Sequence, residues 1–530
     1  MSTTANNVIV IGGGHNGMVA AGYLAKAGRD VTVLEAYGSI GGMSATNPIF
    51  PEAPHHLVNE GGLDVTLLRC SHIIRDLELE KFGFGEVVPD PPYAYLQPDG
   101  SSLCIWRDPV KTAEEIKYFS QKDAKAYLQF VSAISLMLKG VIPFMRSHPY
   151  RLNLIDMLIG IAKMLRHPTK LWGLTRFLSA SHAEYIEETF EHPMVRGPLA
   201  SMVPFLPAKT EGTAWALIYY AVIHGIGVSR IVGGSGGLTD ALARMVHAHN
   251  GKIRTYATVS QIILESDRVR GVELADGERV YADTVISAAN AKTTLQNLLP
   301  KGTLPYKAQV QADNIPVCNY RASSFKIDVA LREQVRMTKH QAWRRQHLSD
   351  ETDLRIPGHC SLPYEDYVRS WDDCAAGRLP TPLHNFAIFP GHADPTQVPK
   401  GQDCLWYWSG VAPATPNEPW STLKERATKE AYDWLGNFYD DIEGIEIARR
   451  VMSPDDIAER YKVPFGHVYH VDTCVSRFGP FRPAPIFADY TTPVKGLFLS
   501  GASMHPCAGI AGIPGQLTAL TVLRKTKGAR

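Results

Sequence analysis

Gly12, Gly14 and Gly17 stand as G-x-G-x-x-G, with Asn16 inside the loop, between an apolar run (Val8 to Ile11) and a helical pattern. In that pattern Ala20, Ala21, Leu24 and Ala25 fall at the spacing of one buried helix face. The first glycine permits a tight turn, and the second lets backbone approach a pyrophosphate. The third lets helix and strand pack closely, while the helix N-terminus supplies N–H groups and partial positive charge. Glu35, followed by Ala36, ends the next apolar run, Val31 to Leu34, where a carboxylate accepts hydrogen bonds from ribose hydroxyls. Strand, glycine turn, helix and terminal acid together imply a bound nucleotide.

Two further glycine groups say which nucleotide. Gly41-Gly42 comes just past the acid, a pair for which an NAD site has no use. A distant cluster from Gly501 through Gly509 to Gly512 again lies between a strand pattern and a helix pattern. An extended dinucleotide needs one anchor for its ADP half and another for its ring. A second helix N-terminus near Gly512 presents N–H groups to an electron-rich flavin carbonyl. The expected cofactor is therefore FAD, held noncovalently.

The chain resembles the carotenoid (phytoene) desaturase-like flavoproteins, a family that includes retinol saturase, over nearly its whole length. Beyond the N-terminal fingerprint the resemblance rests on GGSGGLTDAL (Gly233 to Leu242), ADTVISAANAKTT (Ala282 to Thr294) and FRPAPIFADYTTPVKGLFLSGASMHP (Phe481 to Pro506). It implies FAD as sole prosthetic group and chemistry on carbon–carbon bonds of apolar substrates. It also implies that Gly12, Gly14, Asn16 and Gly17 form the phosphate loop, with Glu35 the ribose acid. Gly42, Met43 and Ser44 surround the diphosphate, Val259 offers backbone to adenine, and Gly501, Gly512 and Ile513 lie at the flavin end. Two positions depart from the pattern. Met43 stands where related amine oxidases and many desaturases carry arginine, and Cys507 stands where the family has glycine after His-Pro.

Catalytic candidates are fewer, because a flavin carries the difficult step itself. His505 lies between carried-over segments and could polarise a substrate or stabilise the reduced ring; a loop-shaping hydrogen bond is the alternative. Glu60, in HHLVNEGG with His55 and His56, is a candidate base, or else fixes its loop through backbone N–H groups. No H-E-x-x-H or G-x-S-x-G signature is present, so hydrolase chemistry has no support. An amine or amino-acid oxidase and a catalytically silent FAD-binding scaffold stay open beside the carbon–carbon reading. A disulfide reductase is disfavoured, since the eight cysteines include no C-x-x-C pair and no second G-x-G-x-x-G appears.

These residues need a scaffold of more than one domain, given 530 residues. The expected fold class is α/β: a Rossmann-type, glutathione-reductase-like FAD domain from residues 1–70, 225–300 and 480–530. Residues 71–224 and 301–479 form a discontinuous α+β substrate domain. Strands are expected near Tyr93 to Leu96, Ser324 to Leu331 and Leu405 to Val411, with a meander after Val259 turning at Asp276-Gly277. Between 131 and 180, seven basic residues meet one acid, Asp156, among many large apolar ones. That composition suits a helical region facing an anionic membrane, or a solvated helix cap. The net charge of +1 gives no global field for nucleic acid. No basic n-region and h-region opens the chain, and the Ala214 to Val228 run falls short of a membrane span. The expectation is a cytoplasmic protein, peripheral to membranes where region 131–180 docks, acting on a lipophilic small molecule. Nothing in the sequence names the electron acceptor.

Overall fold

A computed structural model describes residues 7–151, 168–204 and 206–526, with backbone only for 168–172. Five parallel strands form the first sheet, in the order Leu497–Leu499, Thr284–Ser287, Asn7–Ile11, Asp30–Leu34, Lys252–Arg254. The sheet thus takes its strands from three separated stretches of chain. Val8, Val10, Val31, Val33, Val285 and Ile286 are all buried, as expected of parallel strands covered on both faces. The helix His15–Lys26 follows the first strand and packs against the helices Gly236–Ala248 and Ile513–Thr526. A three-stranded antiparallel meander, Val259–Glu265, Arg268–Leu274 and Arg279–Tyr281, turns at Gly277, whose φ of 89° lies in the left-handed region.

The second sheet has seven strands, in the order Glu446–Met452, Ala322–Leu331, Asp403–Pro413, Phe386–Ile388, Gly358–Cys360, Tyr93–Leu96, Ser102–Ile105. All pairs are antiparallel except Gly358–Cys360 with Tyr93–Leu96. Period-2 alternation gives the sheet two apolar faces. One, with Phe325, Ile327, Leu405 and Tyr407, packs with Trp420, Leu423 and Leu435 of the helix Trp420–Leu435. The other, with Trp406, Phe386, Cys360, Tyr93 and Tyr95, joins a helical cluster that includes Tyr127, Phe130 and Ile134.

Those last three belong to the helix Gln121–Arg146, whose most apolar window has a mean hydropathy of 1.6. Among the described residues it alone is long and apolar enough to cross a membrane. The sequence reading missed it because Lys125 and Lys139 interrupt the apolar run. Tyr127, Val131, Ile134 and Leu138 bury one face in the protein, while Leu128 and Leu136 are exposed on the rest. Of the basic region that follows, Lys163 and Arg166 lie outside the described residues, as does the side chain of Lys170.

The last helix lies against the first with no room for a side chain at Gly515. A Cβ there would come 2.1 Å from the Asn16 carbonyl oxygen. Gly515→Val should therefore separate the two helices and destabilise the protein by about 2–3 kcal/mol or more, read as a lowered Tm.

Candidate functional site

The site is built where three glycine loops meet. Gly12, with φ 95°, turns the chain out of the first strand, and its N–H donates to the Leu34 carbonyl at 2.8 Å. Gly17 sits over that turn, since a Cβ there would lie 2.1 Å from the Gly12 oxygen. Gly14 caps the first helix, and a Cβ on it would meet only the Gly41 oxygen, at 3.9 Å. The turn Gly42–Ser44 lies alongside, tied by the Gly41 N–H to the Gly13 oxygen at 2.9 Å. Met43 gives its carbonyl to the Gly62 N–H at 2.7 Å. Buried Glu35 accepts from the Gly13 N–H at 2.7 Å and the Tyr37 N–H at 3.0 Å, which sets its carboxylate beside the loop. Ala36 separates Glu35 from Tyr37. The Ala257 N–H bonds the Glu35 carbonyl at 2.8 Å, so the chain leading to Val259 runs along the same edge.

The third loop closes the assembly. Gly501 (φ 83°) passes so close to Ala288 that a Cβ would lie 2.5 Å from its oxygen. Gly512 (φ 69°) packs between Ile73 and Val19, and Ile513 starts the last helix, fully buried. His15, at a variable position of the fingerprint, connects all three loops. Its Nε2 lies 3.2 Å from the Gly509 oxygen and its Nδ1 lies 3.1 Å from Ser44 Oγ. Nε2–H donating to Gly509 leaves Nδ1 to accept from the Ser44 hydroxyl; the Asn16 amide nitrogen also lies 3.0 Å from Nε2, where it would donate to the opposite tautomer. Burial pushes the ring down to about 4, against the opposing pull of the Gly509 carbonyl, so it stays neutral at physiological pH.

The two catalytic candidates are committed elsewhere. His505 is fully buried; its Nε2 donates to the Phe144 carbonyl at 3.1 Å, and its ring meets that of Phe144 edge-on. Burial drops its pKa to about 4. It fixes the end of the helix Gln121–Arg146 to the glycine loop, and its lowered pKa makes it a weak base. Glu60 is 1% exposed and held by Arg450 at 3.1 Å, Arg460 at 2.9 Å and the Asn47 amide at 2.5 Å. Burial alone would raise its pKa; the amide and the two guanidiniums outweigh it and hold the carboxyl below its usual range. A carboxylate so occupied is a weak base. Cys507 is no thiolate nucleophile either, since burial pushes its pKa up.

Glu60 is instead one end of a charge network joining the glycine loops to the seven-stranded sheet. Arg450 also reaches Asp328 at 2.8 Å, and Asp328 pairs with Lys326, both nearly inaccessible. Burial lowers the Lys326 pKa more than Asp328 restores it. Arg460 lies 4.4 Å over the Tyr37 ring. On the same sheet face, the Trp406 indole N–H donates to the Gly61 carbonyl at 2.8 Å, placing an aromatic wall beside the loops. Tyr219 Oη, Tyr93 Oη and Asp64 form a chain at 2.8 and 2.7 Å, with Arg230 holding the far side of Asp64 at 3.2 Å. A crevice of about 10 Å³, room for about one water, opens by Tyr320, Ser324, Trp371, Gly410, His467 and Tyr469.

Three backbone loops converging on two helix N-termini, with a carboxylate at the end of the second strand, define a dinucleotide site of the flavoprotein oxidoreductases. Open space at Gly14 and the close packing at Gly17 and Gly501 fit FAD. The family model of flavin containing amine oxidoreductases matches residues 17–377, and the chain belongs to that family. It is 27% identical to mouse "Pyridine nucleotide-disulfide oxidoreductase domain-containing protein 2", over 98% of this chain and 94% of that one. It is 22% identical to the zeta-carotene-forming phytoene desaturase of Myxococcus xanthus, over 96% and 92%. Among solved structures, a putrescine oxidase variant superposes with a TM-score of 0.61 at 14% identity, covering 98% of this chain and 99% of that one. The protein is an FAD-dependent oxidoreductase of the amine oxidase and phytoene desaturase superfamily. All eight cysteines are free, so no disulfide pair stands ready for exchange.

Gly14→Leu should fold, because the space around its Cβ is open, yet purify colourless, because the side chain occupies the phosphate approach. The ratio of flavin to protein absorbance checks this. The buried histidines set a pH dependence. His15, His182, His384 and His505 have folded pKa values near 4, whereas the unfolded chain titrates near 6.5. Between those values the unfolded state binds more protons, so stability is complete above about 6.5 and falls as pH drops toward 4. His505→Gln should flatten that fall by about one proton, about 1.4 kcal/mol per pH unit, in Tm or denaturant profiles taken across the window.

Proposed function

We propose that this protein dehydrogenates, saturates or isomerises a carbon–carbon bond of a lipophilic molecule. The observation that carries this reading is the state of the buried carboxylates along the substrate-facing sheet and the loops beneath it. Glu60 is taken by two arginines, and Asp328 by Lys326 and Arg450. Asp64 is held by Arg230 and Tyr93, and Asp472 by His467 and the N–H groups of Cys318 and Asn319. A cationic amine entering here would have to break one of these pairs, at the penalty of leaving a buried charge uncompensated. A neutral apolar substrate breaks none, and it meets Trp406, Trp408 and Phe386 on the same face. The near-full-length similarity to phytoene desaturases supports the same reading.

FAD, when bound, supplies the group that accepts or returns hydride. The chain's own residues do the rest. The Gly12 to Gly17 loop and the first helix N-terminus receive the diphosphate, and Glu35 receives the ribose. Trp406 and Trp408 exclude water from the reacting face. The Tyr219–Tyr93–Asp64 chain, anchored by Arg230, can hold a proton at Tyr219 Oη.

Membrane docking is part of the same proposal. Tyr150, Leu178, Val475, Phe481 and Ile486 are all more than a third exposed. Tyr150 Oη bonds the Pro480 and Pro485 carbonyls flanking Phe481, while Leu178 and Val475 both adjoin Gly212. Tyr150 and Leu178 belong to region 131–180, whose basic excess would favour an anionic surface.

One experiment covers both parts: anaerobic flavin bleaching by a panel of polyenes, terpenoids and amines, each offered with neutral or anionic liposomes. Bleaching by polyenes or terpenoids, faster on anionic liposomes and weakened by salt, is the expected result. Bleaching by amines alone would assign the protein to the amine oxidases, and indifference to liposome charge would remove the membrane part.

A further inference from the structure

Arg482 is fully buried, yet every hydrogen bond its guanidinium makes goes to a backbone carbonyl. Nη2 donates to Ala502 at 2.9 Å and Tyr469 at 3.2 Å, and Nε donates to Met504 at 3.2 Å. Both terminal nitrogens reach the Val471 oxygen at 3.4 Å. Among the described residues no carboxylate pairs with it. Asp472 acts on it electrostatically but forms no ion pair with it, being spent on His467, the Cys318 N–H and the Asn319 N–H. The contrast with Arg230, Arg344 and Arg450 is plain, because each of those carries a carboxylate partner.

An ionised group buried without its counter-charge is costly, and carbonyl dipoles offset only part of that. The missing anion has one evident source. Ala502 and Met504 belong to the Gly501 to Gly512 loop, which receives the flavin end of the cofactor. An oxidised flavin ring is neutral; it becomes negative on reduction.

We propose that Arg482 is the counter-charge of the reduced flavin. Its guanidinium stands behind residues 502–504 and makes the site bind the reduced ring more tightly than the oxidised one, raising the midpoint potential. Turning the Ala502 and Met504 carbonyls toward itself, it also turns the N–H groups of Ser503 and His505 to the other side of the loop, because the two ends of a trans peptide unit point in opposite directions. Arg482 is thus a positioning residue whose charge, more than its shape, matters to the cofactor. The inference rests on the flavin end lying at this loop.

The test is the midpoint potential of purified holoprotein, reduced anaerobically against a reference dye, for wild type, Arg482→Lys and Arg482→Met. Arg482→Met should lose about tenfold in preference for the reduced flavin, which is about 30 mV for a two-electron couple. Arg482→Lys keeps the charge and should lose less than half of that, even if its affinity for oxidised FAD falls. An unchanged potential in an Arg482→Met protein that retains FAD overturns the proposal, as does an equal drop in both variants. Should Arg482→Met not fold, wild type decides through sulfite, which adds to the ring and leaves it negative. Tight sulfite binding supports the counter-charge, and no binding overturns it. A wild-type protein that purifies without FAD would instead overturn the cofactor assignment.

Discussion

Around the first helix N-terminus, backbone must touch backbone, and the rest of the structure depends on that. Gly17 against the Gly12 oxygen, Gly515 against the Asn16 oxygen and Gly501 against the Ala288 oxygen each leave less space than a single methyl needs. Three segments far apart in the chain can converge only because glycine stands at each contact. Convergence brings two helix N-termini together, and their partial positive ends favour a diphosphate at one and an electron-rich ring at the other. His15 then bonds the loops to one another. Its neutrality matters, because a second positive charge would strain a core that already holds Arg482.

Much of this frame was legible in the sequence, for a local reason. Strand, glycine turn and helix are consecutive, so G-x-G-x-x-G, the terminal Glu35 and the meander turn at Gly277 all announce themselves within a few residues. The ten-residue strand Ala322–Leu331 and the eleven-residue strand Asp403–Pro413 were equally plain from their apolar runs. Gly358–Cys360 and Phe386–Ile388 were not. Three residues are too few for a period to show, and these strands exist because longer neighbours pair with them.

The site's electrostatics were illegible for a different reason. Glu60 and Arg460 are 400 positions apart, and Arg450 lies 390 from Glu60. No spacing rule spans such distances, so the sequence left Glu60 between a base and a loop-fixing group, and its two arginine partners could not be foreseen. For His505 the loop-shaping hydrogen bond was the legible alternative, but its partner, Phe144, lies 361 positions away and could not be named. Arg482 had the weakest signal of all, one basic residue before a proline, and its meaning comes from what fails to surround it.

The pattern of charge pairing bears on the chemistry. A site that recognises its substrate through an ion pair keeps one charged group uncommitted until the substrate arrives. Among the described residues Glu60, Asp64, Asp328 and Asp472 are matched within the protein, and buried Arg482, which has no carboxylate partner, bonds the Gly501 to Gly512 loop. On the proposed reading, charge is reserved for the flavin, whose ring changes charge during turnover, and withheld from the substrate, for which an aromatic wall and a dry face would suffice. Such a division suits hydride exchange with a molecule that has no charge of its own to offer.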